Sequence, residues 1–136
     1  MATIRKVDYF VLHAPNRPGQ GARLMRALKE RKVNLLAMSA FPDEGGSQVD
    51  LVPESAAELK AAAKAIGVEL SVAKKGFLVQ GKDRVGVLAK ILDKLGEAKI
   101  NVIAIDAVSA GKKFGAIFWV KPMDVNRAAL LLGAEC

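Results

Sequence analysis

The sequence is poor in the residue types that most often carry catalysis. Its 136 residues include one cysteine, Cys136, and one histidine, His13. A single thiol cannot form an internal disulfide, and neither a Ser–His–Asp nor a Cys–His set can be assembled. No spacing of His, Cys or carboxylate residues is typical of a metal site. We therefore predict a protein that is not an enzyme and that uses neither a metal nor a cofactor.

Aromatic residues and long apolar segments are also scarce. Aromatics make up 5% of the chain, whereas RNA-binding modules built on sheets place several on their central strands. The net charge of +7 permits nucleic-acid binding but is more typical of a well-solvated surface. No apolar run approaches the ~20 residues of a membrane helix, and no secretory signal is visible. We predict no nucleic-acid partner, no membrane association and a cytoplasmic location.

What the sequence does have is an internal repeat. Residues 16–35 recur at 83–102, 67 positions later. The identical pairs include Arg17 and Arg84, Gly19 and Gly86, Lys32 and Lys99, and Asn34 and Asn101. A period of this length indicates a duplicated small domain rather than a solenoid unit. Halves this small bury little core alone, so we expect domains at 1–73 and 74–136 that pack on each other or on a second chain.

Hydrophobic patterns predict the element order βαββαβ in the first repeat. Alternating apolar residues predict strands at 7–14, 34–41, 47–52 and 68–73. Helical spacing predicts a helix capped by Asn16 and running to about Arg31. A second helix at 55–66 is predicted by the Ser55–Glu58 capping box at its start and Gly67 at its end.

The second repeat predicts the same elements except the last. Strands are expected at 75–81, 101–108 and 114–120, with helices from Asp83 to Ala98 and from Asp124 to about Leu132. The printed sequence then reaches Cys136, where a fourth strand should begin. We therefore predict a short or missing last strand, whose open edge is covered by a very short closing strand or by another chain.

Two helices on one face of an antiparallel sheet are the expected packing of each unit. The fold class is thus α+β, with two ferredoxin-like βαββαβ units. Strand alternation places Phe10, Leu12, Phe77 and Val79 on the helix side. It places Leu78, Ile117 and Trp119 on the other side, as an apolar patch that we expect to be buried.

The segments NRPGQGARLMRALKERKVNLLAM and DRVGVLAKILDKLGEAKINVIAI resemble the ACT-domain pattern. That pattern is a strand, a D/N-R-P-G-V-L turn, a helix, and an Asn before a β-branched strand. The second segment departs at Val85, and the first at Gln20 and Gly21. The resemblance covers nearly the whole chain and identifies it as a tandem ACT-domain protein. It implies a non-catalytic regulatory module that binds an amino acid or similar metabolite between ACT units, forms a homodimer and serves a metabolic enzyme.

Carried over residue by residue, the resemblance implies ligand contacts at both strand-to-helix turns and at the start of the following strand. In the first copy these residues are Asn16, Arg17, Pro18, Gly19, Gln20, Gly21, Asn34 and Leu35. In the second copy they are Asp83, Arg84, Val85, Gly86, Val87, Leu88, Asn101 and Val102. We expect the Gln20–Gly21 departure to make the first pocket wider and more polar than the second.

The same residues also have purely structural interpretations. Asn16 and Asp83 are good helix caps, glycines ease a tight turn, and Asn34 and Asn101 can satisfy a helix end. His13 lies one position from the His used by serine-sensing ACT domains, and strand alternation turns it to the opposite side. Two other functions remain open: a subunit that docks on a metabolic enzyme without ligand, and an acylphosphatase-like enzyme in which residues 20–23 hold phosphate.

Overall fold

The computed structural model describes residues 2–135, which contain six strands and four α-helices. These residues form two compact units. One is Asp8–Lys74, called the first unit below; the second unit joins the residues up to Val7 to those from Lys75 onward. Sequence analysis divided the chain between residues 73 and 74, whereas here the first residues of the chain group with the second unit. No helix in the described range is long and apolar enough to cross a membrane.

The first unit has helices packed on an antiparallel sheet. Its elements are β1 (Thr3–Ala14, entering the unit at residue 8), α1 (Gln20–Glu30), β2 (Leu35–Asp43), β3 (Gly46–Pro53) and α2 (Ala56–Ala65). The strand order is β2–β3–β1, with Phe10 opposite Leu51. Phe10 and Leu12 pack in one core with Leu28 and Leu59, which confirms the side of the strand predicted to face the helices.

Helix α1 begins later than predicted. Asn16 was expected to cap it, but the cap position is Gly19, in the left-handed region at φ 90° and without a side-chain cap. The amide of Gln20 donates to the Arg17 carbonyl at 3.3 Å, so residues 17–20 form a turn that delays the helix. The Ser55 prediction is confirmed, because its hydroxyl accepts from the Glu58 amide at 3.3 Å.

The predicted strand at 68–73 is wrong, because these residues are not assigned to any strand. The Ser71 amide donates to the Val11 carbonyl at 2.9 Å, as a strand partner would. The Val11 amide, however, donates to the Ser71 hydroxyl at 2.9 Å instead of to a backbone carbonyl. A side chain that replaces the backbone acceptor interrupts the ladder after one bond.

The second unit repeats this arrangement. Its elements are β4 (Lys74–Lys82), α3 (Val87–Glu97), β5 (Val102–Ala110), β6 (Lys113–Val120) and α4 (Val125–Leu132), the last preceded by a 3₁₀ turn at Pro122–Asp124. The strand order is β4–β6–β5. Phe77 stacks on Phe118 with ring centroids 5.1 Å apart, in a core with Val79 and Leu95. Leu78, Ile117 and Trp119 are buried as well, as expected for the apolar patch.

The helix caps of the second unit also differ from the prediction. Helix α3 starts at Val87 rather than Asp83, after Gly86 at φ 85°. Asp124 does precede α4, but its side chain makes no capping bond. Its carboxylate instead accepts from the Arg127 guanidinium at 3.1 Å. In both units the glycine, not the acidic or amide residue before it, sets the start of the corner helix.

The predicted short closing strand of the second unit is a single bridge, parallel, between Glu135 and Arg5. The Lys6 amide donates to the Glu135 carbonyl at 2.7 Å, and the Glu135 amide donates to the Ile4 carbonyl at 3.1 Å. Ala2 and Ile4 pack against the core of this unit. The partner of the short last strand is therefore the chain's own N-terminal segment. Cys136 lies outside the described residues.

Candidate ligand-binding site

A cavity of about 260 Å³ opens in the first unit where β1 ends and α1 begins. Four of the residues singled out in the sequence line it: Asn16, Arg17, Gln20 and Gly21. Ligand pockets commonly measure ~300–1,000 Å³, so this cavity suits a ligand at the small end of that range. The strand-to-helix corner thus forms a concave site within one unit.

The walls of this cavity combine positive charge with apolar surface. Arg17 and Arg23 supply two guanidinium groups, and no aspartate or glutamate is among the lining residues that the structure describes. Leu24 and Met38 are part of its apolar lining. A guanidinium binds a carboxylate through two parallel hydrogen bonds, and the first turn of α1 offers amides without intrahelical acceptors. The lining therefore combines groups that can bind a carboxylate with apolar surface.

His13 also borders this cavity, but its side chain turns to the face of the sheet that alternation predicts. Its Nδ1 lies 2.9 Å from Oδ2 of Asp43, at the end of β2. The histidine is well exposed, with 68% of its side chain accessible. It also borders a second cavity together with Val11, two positions earlier on β1. His13 is therefore at the rim of the first cavity rather than among the groups that face into it.

The two glycines that matter at the first corner have different roles. Gly19 has φ +90°, a conformation that L side chains rarely adopt, although an added Cβ would meet nothing within 4 Å. Gly21 has no such constraint, and a Cβ there would also meet open space. Gly21 lines the cavity, so the absence of a side chain at this position leaves more space in the cavity. Leu88, one repeat later, is half-buried.

The second unit has a cavity at the matching corner. Its volume is about 320 Å³, and Arg84, Val85, Gly86 and Val87 line it. The expectation that the first pocket is the wider one is therefore wrong. Asp83 does not line this cavity. Its carboxylate accepts from the Ser109 hydroxyl at 2.7 Å, and its amide donates to the Lys112 carbonyl at 3.0 Å.

The remaining residues implied by the resemblance lie outside both cavities. These are Pro18, Gly19, Asn34, Leu35, Asp83, Leu88, Asn101 and Val102. The side-chain amide of Asn34 donates to Oε2 of Glu54 at 2.9 Å, and the Glu54 amide donates to the Asn34 carbonyl at 2.9 Å. Asn34 thus ties the start of β2 to the end of β3. Within the described part of the chain, no three His, Cys, Asp or Glu residues cluster as metal ligands would.

Comparison with known proteins agrees with this architecture. Residues 77–134 match the family model of the ACT domain, while no curated protein matches the sequence. A crystal structure of a protein from Bacteroides thetaiotaomicron superposes with a TM-score of 0.77 at 15% identity, covering 97% of this chain and 88% of the other.

Two regulatory subunits of aspartate kinase also share the fold. The ligand-free subunit from Thermus thermophilus has a TM-score of 0.65 at 16% identity, covering 97% of this chain and 94% of its own. The subunit from Thermus flavus has a TM-score of 0.58 at 20% identity, covering 96% and 91%. By sequence, residues 77–134 of this chain match the ACT domain, and the chain as a whole has the fold of these three proteins.

Proposed function

We propose that this chain is a non-catalytic regulatory module of the tandem ACT type. In this proposal it binds an amino acid or a similar small metabolite at the corner of the first unit. The observation that carries the proposal is the cavity formed by Asn16, Arg17, Gln20 and Gly21. The repeat relates this corner to residues 83–88, which lie within the ACT match, and the similar structures include regulatory subunits.

The cavity lining supports one orientation of an amino acid. The carboxylate faces Arg17 and Arg23, where a charge near the start of α1 gains up to ~2 kcal/mol. The ammonium donates to the side-chain oxygen of Asn16 or Gln20. An apolar side chain then packs on Leu24 and Met38, all of which line the same cavity. At ~0.6 kcal/mol per heavy atom, about nine atoms give a Kd on the order of 0.1–1 mM.

The test is a panel of the twenty amino acids in thermal-shift and calorimetric titrations. A ligand at a hundredfold excess over its Kd stabilises the native state by about 2.7 kcal/mol, which raises Tm by several degrees. We expect the largest shift from an amino acid with an apolar side chain. Absence of both heat and shift across the panel would contradict the proposal.

A matched pair of variants at one position separates filling of the cavity from damage to the fold. Gly21 is helical and a Cβ there meets nothing within 4 Å, so Gly21→Ala should stabilise the helix by up to ~1 kcal/mol. Gly21→Leu should preserve the fold and fill the cavity, weakening amino-acid binding at least tenfold in calorimetry. Unchanged binding by Gly21→Leu would place the ligand elsewhere.

An acylphosphatase-like activity is the enzymatic alternative to this proposal. Arg23, which that reading requires, lines the first cavity. We expect no hydrolysis of an acyl phosphate such as benzoyl phosphate above the uncatalysed rate. Hydrolysis that Arg23→Ala abolishes would support the enzyme instead.

One observation also favours association with another copy of the chain. Strand β5 lies at an edge of the sheet, and it exposes Ile103, Ile105 and Val108 by 53%, 37% and 64%. An exposed apolar edge strand readily pairs with another strand. We infer a homodimer through β5, with docking on a metabolic enzyme as the second use of this edge. Light scattering should give a molecular mass twice that of one chain. For the Val108→Lys variant it should give the mass of a single chain.

A further inference from the structure

The cavity of the second unit gathers positive charge without a negative counterpart. Lys82, Arg84, Lys90 and Lys94 all line it, and no carboxylate residue in the described range does. All four residues are exposed. None of them forms an ion pair with another described residue. The described residues therefore provide no ion-pair partner for any of these four charges.

Comparison of the two repeats separates what the fold repeats from what this cavity adds. Two of the four basic residues have basic counterparts one repeat earlier, at Arg17 and Arg23. The other two, Lys82 and Lys94, stand where the first unit has a proline and an alanine. The duplicated fold therefore does not require them. They double the positive charge at this corner relative to the first one.

The position of these charges is unfavourable for the isolated protein. Lys90 and Lys94 lie one turn apart on α3, and like charges at this spacing oppose helix formation. Lys82 and Arg84 stand before the same helix, whose N-terminal end is itself positive. Salt screens this repulsion in part, and an anion that lies among the four groups lowers it further. A ligand that carries negative charge would therefore stabilise this arrangement.

Two further features define the ligand. The eight helical residues from Val87 to Lys94 span about 12 Å, so positive groups lie both at the corner and farther along the cavity. Between them the wall is apolar, with Ile4, Ile91 and Leu132 among the lining residues. A single inorganic ion would leave this apolar wall uncovered.

We propose that this cavity binds a small organic dianion. Its negative charges contact the lysines and Arg84, and its carbon skeleton packs on Ile4, Ile91 and Leu132. A phosphate monoester and a dicarboxylate share this chemistry, since lysine binds either as a point charge and arginine binds either through its planar fork. The inference deepens the proposed function by naming a ligand class for the second corner, but it does not require amino-acid binding at the first.

The experiment titrates the full chain by calorimetry at low salt with glycerol 3-phosphate, glutarate, inorganic phosphate and acetate. We expect an organic dianion to bind at least tenfold more tightly than acetate and more tightly than inorganic phosphate. Preference for glycerol 3-phosphate identifies a phosphate ester, and preference for glutarate identifies a dicarboxylate. The inference is overturned if all four anions bind equally. It is also overturned if none of them gives a heat of binding at a 10-fold or higher molar excess over the protein.

Variants test the location of the site. Lys82→Gln with Lys94→Gln leaves polar side chains at two exposed positions and removes two charges that have no ion-pair partner among the described residues, so the fold is expected to persist. Dianion binding should weaken at least tenfold. The control, Lys29→Gln with Lys64→Gln, removes two exposed charges outside this cavity and should change binding less than twofold. Equal loss in both double variants overturns the inference, because it would reflect net charge alone.

Two additional measurements distinguish this inference from its rivals. Gly21→Leu, which fills the first cavity, should leave dianion binding unchanged, so that failure of the amino-acid proposal and failure of this one are separable. A single-stranded oligonucleotide should bind no better than the small dianions. Tight, salt-sensitive oligonucleotide binding that is lost in the Lys82 and Lys94 double variant would overturn the inference in favour of a nucleic-acid partner.

Discussion

Two lysines at matching positions have backbone conformations that are unusual for side-chain-bearing residues. Lys32 and Lys99 have φ angles of 57° and 59°. The Lys32 amide donates to the Lys29 carbonyl at 3.0 Å, and the Lys99 amide donates to the Gly96 carbonyl at 3.0 Å. Each lysine thus takes the left-handed position that usually ends a helix with glycine. The repeat showed these lysines to be identical but gave no sign of this conformation, because lysine is not a usual residue there.

The first prediction concerns this position. Lys32→Gly should raise the free energy of unfolding by about 1 kcal/mol, because glycine avoids the left-handed penalty of an L-residue. Lys29→Gly, three residues earlier and inside the helix, should instead lower it by ~0.5–1 kcal/mol. Urea titrations of both variants provide the measurement. If both changes destabilise the protein, the contacts of the Lys32 side chain contribute more stability than its left-handed backbone conformation costs.

A second prediction at this scale concerns alkaline pH. Burial raises the pKa of the Tyr9 phenol, and the nearby negative charge of Asp50 raises that pKa further. The native state therefore holds the phenolic proton more tightly than the unfolded state, whose pKa is about 10. This stabilisation is complete below pH ~10 and is lost as pH rises through the higher native pKa. Tyr9→Phe should lose less stability between pH 9 and 11 than the wild type in denaturant titrations; equal losses would contradict the assignment.

At the scale of elements, one side chain joins the ends of two helices in the second unit. The guanidinium of Arg127 donates to the Ala98 carbonyl at the end of α3 at 2.6 Å. It also donates to the Asp124 carboxylate before α4 at 3.1 Å. The residue therefore satisfies an orphan carbonyl of one helix and an acid at the start of the other.

Arg127→Met should accordingly lower the free energy of unfolding by about 1–2 kcal/mol, since two charge-assisted hydrogen bonds are lost while the aliphatic stem remains. Arg26→Met, on an exposed position of α1, serves as the control and should change it by less than ~0.5 kcal/mol. Chemical denaturation followed by far-UV circular dichroism measures both. An equal effect of the two variants would show that Arg127 does not bridge the helices in solution.

Much of the element order was predictable from the sequence, because apolar periodicity and the Ser55 and Gly67 signals act locally. Phe10 and Phe77, for example, were assigned to the correct side of their strands. The helix starts were not predictable, because they depend on the backbone angle at Gly19 and Gly86 rather than on the capping strength of the residues before them. The interrupted ladder at Ser71 depends on a contact with Val11 that is 60 positions away.

The candidate site was only partly predictable for similar reasons. The repeated turn led to Arg17, Gly21 and Arg84, which do line cavities. It could not show that Asn34 bonds to Glu54, because side-chain partners on neighbouring strands follow from register. Lys94 was missed because on a helix it is indistinguishable from a solvated lysine until the neighbouring wall is known.

At the scale of the molecule, the second unit is assembled from both ends of the described chain. Ile4 accepts a hydrogen bond from the Glu135 amide at 3.1 Å and packs against the second core. Local sequence patterns cannot reveal such a pairing, because 131 positions separate the partners. The prediction of a short last strand indicated only that another segment must cover the open edge of the second unit's sheet.

This arrangement gives the last prediction. Ile4→Asp should destabilise the second unit by about 2–3 kcal/mol, because it replaces a packed apolar group by a charge. Thr3→Asp, at an exposed position next to it, should have a small effect. Hydrogen exchange can locate the change: amides of β4 and β6 should lose protection in Ile4→Asp while those of β3 retain it. An equal loss of amide protection in both units would contradict the assignment of Ile4 to the second unit alone.

The pairing of residues 4–6 with residue 135 also orders events during synthesis. As the polypeptide leaves the ribosome, residues 4–6 emerge about 130 residues before their partner, Glu135. The unit at 8–74 has all of its strands and helices available long before that. Its corner, with Arg17 and the cavity beside it, can form on the nascent chain, whereas the lysine-lined corner, which includes Ile4, gains the pairing of Ile4 with Glu135 only after residue 135 has been made.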